Sequence, residues 1–155
     1  MQNDAYIRKL NDMRMDPSIL KMKNFRQHYR VTTYSHVCHV ACMSHRIEKA
    51  LHLNVDENSM LVGALLHDYY LYDTHAEEYH VKKHGRTHAC TALHNAERTY
   101  ELNAKERNII WSHMWPLNIT HLPRSKEAWI VSTADKICAV EEATLGRWSV
   151  RKLAV

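Results

Sequence analysis

Six side chains able to bind a metal ion fall within or at the ends of apolar helical patterns in this 155-residue sequence: His36, His67, Asp68, His88, His113 and Asp135. Neutral imidazole and ionised carboxylate form the donor set taken by Zn, Fe, Mn, Co or Ni, and a His/Asp shell without thiolate leaves coordination positions for water. Open positions point to catalysis rather than to a closed structural site. An inward carboxylate left alone must neutralise or find a cation, so Asp68 and Asp135 call for a partner. The chain has 13 histidines, too many for one ligand set. His28, His39, His45, His52, His80, His94 and His121 are therefore read as ordinary core or surface histidines.

The stretch VGALLHDYYLYD, Val62 to Asp73, sets His67 beside Asp68 after an apolar run. Successive residues on a helix differ by about 100° in direction, so both can face one point only near a fraying C-terminal turn. Asp68 has two oxygens and can bridge two ions. Asp73 and His75, just beyond, either line the same site or end the helix.

The elements that must carry these residues read as an all-α bundle of six to seven helices. Two lie at about 4–15 and 17–27, divided at Asp16-Pro17. A third follows Thr32 or Thr33 as N-cap and runs to about His52, with His36, Val37, Val40, Ala41, Ser44, Ile47 and Leu51 on its apolar side. A fourth starts at an Asp56 cap and reaches about Tyr70, with the His67-Asp68 pair in its last turn. After a polar stretch with a short helix and a loop, Thr87 caps a fifth, leaving His88 in its first turn. Asn103 and Glu106 make a capping box for a sixth, which carries His113 and stops near Pro116. Ser125 caps the last, which ends at Gly146 and has Ala128, Val131, Asp135, Cys138 and Glu142 on one stripe.

The length fits one domain over 1–155. With 45% hydrophobic residues and only 3 Gly and 3 Pro, a packed helical core is expected rather than disorder. The four cysteines show no C-x-x-C spacing and read as reduced core residues, not as a zinc ribbon or disulfide scaffold. No run is long enough for a membrane span and the charged N-terminus is unlike a secretory leader, so a cytoplasmic protein is expected. The net charge of +4 comes without a basic arm, which favours a small anionic ligand over nucleic acid.

The order His36, His67-Asp68, His88, His113 and then Asp135 within STADKICAVEE resembles the HD-domain superfamily of metal-dependent phosphohydrolases, over about residues 28 to 142. The resemblance implies a divalent metal on His36, His67, Asp68 and Asp135, and a second on His88 and His113, bridged by Asp68. The metals would be Fe, Mn, Co, Ni, Zn or Mg. His84, in KKHGRTHAC, can take the part given to His88; His88 is preferred because it leaves Ala89 and Ala92 for packing. Leu71 stands where a Lys commonly follows the HD pair, so that lysine's role is not carried over. The size and dinuclear pattern also resemble bacterial HD hydrolases that split diadenosine tetraphosphate.

The expected activity is hydrolysis of a phosphate ester or phosphoanhydride in a small phosphorylated metabolite of the nucleotide class, with Asp68 at the catalytic centre. Helix N-termini favour anions, which makes His84 and Arg86 phosphate-contact candidates, followed by Lys136 and Arg124. A different reaction class is open to the same ligand order: myo-inositol oxygenase and a phosphonate-cleaving oxygenase are HD proteins with a mixed-valent di-iron centre.

Overall fold

The computed structural model describes residues 2–28, 31–73 and 84–145. Its elements are α1 (Gln2–Met13), α2 (Pro17–Leu20), a 3-10 turn (Lys21–Asn24), β1 (Arg26–His28), β2 (Val31–Thr32), α3 (Thr33–Ala50), α4 (Glu57–Leu66), α5 (His84–Glu97), α6 (Ala104–Ser112) and α7 (Lys126–Leu145). The architecture is all-α, and among the described residues β1 and β2 pair as a two-stranded antiparallel sheet. Among the described residues, no helix is long and apolar enough to cross a membrane.

Local chemistry starts most of these helices where the sequence places them. Thr32 accepts from the Ser35 amide at 3.2 Å, and Asp56 from the Ser59 amide at 3.0 Å. Asn103 and Glu106 form the reciprocal capping box, and Ser125 Oγ accepts from the Ala128 amide at 3.1 Å. The N-terminal half departs from expectation. The helix expected over 17–27 breaks after Leu20 into a 3-10 turn, and Phe25 is extended, its carbonyl accepting from the Thr33 amide at 2.9 Å. The chain then pairs as β1 and β2, with Arg26 opposite Thr32 and His28 opposite Val31 around a bulge.

Three smaller expectations also change. Helix α5 already runs from His84, so Thr87 lies inside it, its carbonyl accepting from Thr91 Oγ1, and His88 is past the first turn. Helix α3 stops at Ala50, and Leu51 is exposed because the chain turns there towards α4. Cys38 and Cys138 are buried, but Cys90 is exposed and not a core residue.

The core lies where α3 packs on α4 and α7, and α6 on α4, α5 and α7. Leu10, Ile19, Met60, Leu65, Ile109 and Val131 are fully buried there. Helices α4 and α6 approach closely at Gly63: a Cβ on that residue would stand 2.5 Å from the Ile109 side chain. This contact draws together two helices whose C-terminal ends carry His67 and His113.

Candidate metal centre

His67 and His113 are oriented by the same local device. Each is the C-cap residue of its helix, where the final carbonyls have no amide partner within the helix. His67 Nδ1 lies 2.8 Å from the Ala64 carbonyl oxygen, and His113 Nδ1 2.7 Å from that of Ile110. A carbonyl only accepts, so both Nδ1 atoms donate, and the neutral ring keeps its lone pair on Nε2. That tautomer leaves Nε2, the nitrogen facing the carboxylates, as the one able to bind a metal ion.

The adjacent His67-Asp68 pair, expected in the last turn of a helix reaching about Tyr70, instead lies just past the end of α4 at Leu66, where both side chains can converge. The Tyr70 amide donates to the Asp68 carbonyl at 2.8 Å, and Leu71 takes a positive φ of 55°. From α5, Asn95 Nδ2 donates to the carbonyls of Tyr69 and Tyr70 at 3.2 and 3.0 Å, holding the turn. The backbone that follows Asp68 is thus held in place.

Around it the side chains assemble into one buried cluster. Asp68 Oδ2 is 3.4 Å from His67 Nε2 and 3.7 Å from His36 Nε2. Asp68 Oδ1 is 3.3 Å from His88 Nε2 and 3.5 Å from His113 Nε2. Asp135 Oδ1 lies 3.0 Å from His36 Nε2 and 3.7 Å from His67 Nε2. Donors sharing one ion at bond lengths of about 2.0–2.2 Å stand about 3–3.5 Å apart, so these spacings suit coordination. Three overlapping groups arise: His36, His67 and Asp68; His67, His113 and Asp135; and Asp68, His88 and His113.

Two atoms test the fit further. His67 Nε2 and Asp68 Oδ1 are buried and make no hydrogen bond to the described residues. Leaving each unmet costs about 1–3 kcal/mol, and a divalent cation would satisfy both. The N/O donor set and buried position therefore fit a divalent metal. Without a cation, the same carboxylates hold protons on the cluster instead. Burial alone would push the His36 and His67 imidazoles down, but Asp135 and Glu142 hold His36 at about 9, and Asp68 and Asp135 hold His67 at about 10. Burial raises Asp68 and Asp135, yet the surrounding histidines keep both well below the usual carboxylate range. A further group, His45, Glu48 and Glu57, differs in kind: Lys49 Nζ sits 2.6 Å from Glu57 and 3.2 Å from Glu48 and supplies the cation.

The cluster opens on a cavity of about 560 Å³. Gln27, Asp68, His88, Asp135 and Lys136 form its polar side, and Met114, Pro116 and Leu117 an apolar wall. Lys136 lines it, but its ammonium donates to the His113 carbonyl, the Ser132 carbonyl and Ser132 Oγ, each at 2.9 Å. With Ser132 Oγ also donating to the His113 carbonyl at 2.8 Å, this contact braces His113. Arg124 lines a separate cavity of about 250 Å³ with Trp111 and His121. Gly85 lines the larger cavity, while the side chains of His84 and Arg86, and all of His75 and His80, lie outside the described residues. Asp73 is exposed.

Several residues at the site escape a reading of helical stripes. Gln27 Nε2 donates to Asp68 Oδ2 at 2.6 Å, and the Tyr70 hydroxyl donates to Gln27 Oε1. Gln27 comes from β1, and nothing local in the sequence forecasts that strand. Glu142 stands between His36 and His39, although His39 reads as an ordinary histidine. The one signal was Glu142 itself, an acidic residue on the apolar stripe of α7.

The family model for the HD domain matches residues 33–140. No curated protein and no solved structure matches the chain. The family consists generally of metal-dependent phosphohydrolases, and the His/Asp clusters suit divalent metal binding. The matched span contains every residue of the cluster described above, and the chain belongs to the HD-domain family.

Proposed function

We propose that the protein hydrolyses a phosphate ester or phosphoanhydride of a small metabolite, of the nucleotide class, at the Asp68 cluster. The observation that carries this reading is the division of Asp68 between two sets of imidazoles, His36 and His67 on one oxygen and His88 and His113 on the other. Two divalent cations, one on His36, His67, Asp68 and Asp135 and one on His88, His113 and Asp68, would supply hydroxide near neutral pH and neutralise the phosphoryl oxygens.

The chain's own residues have the remaining tasks. Asp68 would hold a cation on each side, and Gln27 holds its orientation through the 2.6 Å hydrogen bond. Lys136 and Ser132 secure the backbone of His113. Met114, Pro116 and Leu117 offer a nucleobase or similar flat group an apolar surface beside the reacting phosphate. The cavity volume lies in the range of about 300–1,000 Å³ usual for small-molecule sites.

The test is a metal analysis followed by hydrolysis assays with Mn²⁺- or Co²⁺-loaded protein on p-nitrophenyl phosphate and a panel of nucleotides. Phosphate release that requires the added metal is expected. Bound iron with oxygen consumption and no phosphate release would replace the hydrolase reading with the oxygenase one.

A further inference from the structure

Glu142 is a buried carboxylate, 2% exposed, two turns after Asp135 on α7. Its Oε2 lies 3.0 Å from His36 Nδ1 and its Oε1 2.9 Å from His39 Nδ1. His36 and His39 are neighbours one turn apart on α3, so a single carboxylate from α7 spans both rings. His39 Nε2 reaches on to Glu141 Oε2, at 3.1 Å, nearer the surface. The inner nitrogen of His36 faces Asp135 and Asp68, while its outer nitrogen is on Glu142.

At His67 and His113 a helix-end carbonyl receives the Nδ1 proton. His36 stands near the start of its helix, far from the unpaired carbonyls at the other end, so it cannot use that device. Glu142 takes the place of the carbonyl. A carboxylate accepting an Nδ1–H also raises the basicity of the opposite nitrogen, which a neutral carbonyl does less strongly.

We propose that Glu142 is a positioning residue for His36, accepting its Nδ1–H so that Nε2 presents its lone pair to a divalent cation, with His39 holding the other carboxylate oxygen. This rests on His36 being a metal ligand, as in the function proposed above. Glu142 faces the outer nitrogen of His36 while Asp135 faces the inner one, so its effect passes through the ring it orients.

The experiment titrates metal-stripped wild type, Glu142→Gln and His36→Ala with Mn²⁺, following free Mn²⁺ by electron paramagnetic resonance. Circular dichroism of the metal-free chains monitors the fold. Glu142→Gln keeps the shape and removes the charge, and its affinity is expected to fall by about 10- to 100-fold with the fold intact. Unchanged affinity in Glu142→Gln alongside weakened His36→Ala overturns the positioning role alone. Unchanged affinity in His36→Ala removes the ligand assignment and the proposal with it. A measurement on the wild type needs no variant: in the Zn²⁺-loaded protein, ¹⁵N shifts are expected to show His36 protonated at Nδ1 and ligated through Nε2. The reverse assignment overturns the proposal.

Discussion

Gln27 Nε2 donates a hydrogen bond to Asp68 Oδ2 at 2.6 Å, tying strand β1 to the centre of the histidine cluster. Tyr70, two residues beyond Asp68, donates to the other end of the same amide, and Thr33 Oγ1 lies 3.2 Å from the Tyr70 hydroxyl. The bond leaves Asp68 Oδ1 facing His88 and His113. An amide anchored at one end by a phenol and at the other by a carboxylate cannot rotate without breaking both contacts.

Replacing Gln27 by Leu removes this donor while keeping a side chain of similar size. Asp68 then loses a fixed orientation, and metal affinity is expected to fall about 10-fold, within the range found for groups that orient metal ligands. Isothermal titration with Mn²⁺ measures it. Affinity equal to wild type would show that the turn after α4 holds Asp68 unaided.

Metal affinity should rise with pH. His36 and His67 hold protons up to about 9 and about 10, against an ordinary value of about 6.5, and each must lose its Nε2 proton before binding. Apparent Mn²⁺ affinity is expected to climb by about 10-fold or more per pH unit between pH 6.5 and 8.5. The stability of the metal-free chain is expected to follow the opposite trend. Because these pKa values are raised by folding, their contribution to stability is complete below about pH 6.5 and is lost as pH rises through 9 to 10. Thermal melts across that window, with and without metal, separate the two trends; a flat affinity profile would contradict the protonated cluster.

Gly63→Ala should destabilise the protein despite the better helix propensity of alanine. The propensity gain is up to about 1 kcal/mol, whereas the new methyl would meet Ile109 at 2.5 Å, and overpacking a core costs about 1–3 kcal/mol. A fall in Tm of a few degrees is expected, with weaker metal binding as α4 and α6 separate. Ile109→Ala, which removes both Cγ2 and Cδ1, should cost less in the Gly63→Ala background than in the wild type, in the same melt.

How much of this was legible follows from how local each signal is. Thr32, Asp56, Asn103 with Glu106, and Ser125 cap helices through bonds spanning two or three residues, so sequence alone places them. His36, His67, Asp68, His88, His113 and Asp135 stood out because polar residues interrupted apolar stripes, and they do meet in one cluster. The strand carrying Gln27 did not show, because it exists only through pairing with Val31 and Thr32, and the preceding residues suit a helix. The role of His39 was hidden for a similar reason: its partner is 103 residues away. The nitrogen that each histidine turns inward was also unreadable, since it depends on where a helix ends.

Asp68 is proposed to join two metal positions, and this role can be read directly. Its most direct test is the metal content per chain of wild type and Asp68→Ala after loading with Mn²⁺ and removal of free ion. The expected result is two ions per wild-type chain, and loss of tight binding at both positions with loss of phosphate release in the variant. An Asp68→Ala chain that keeps its metal and its activity would contradict the account.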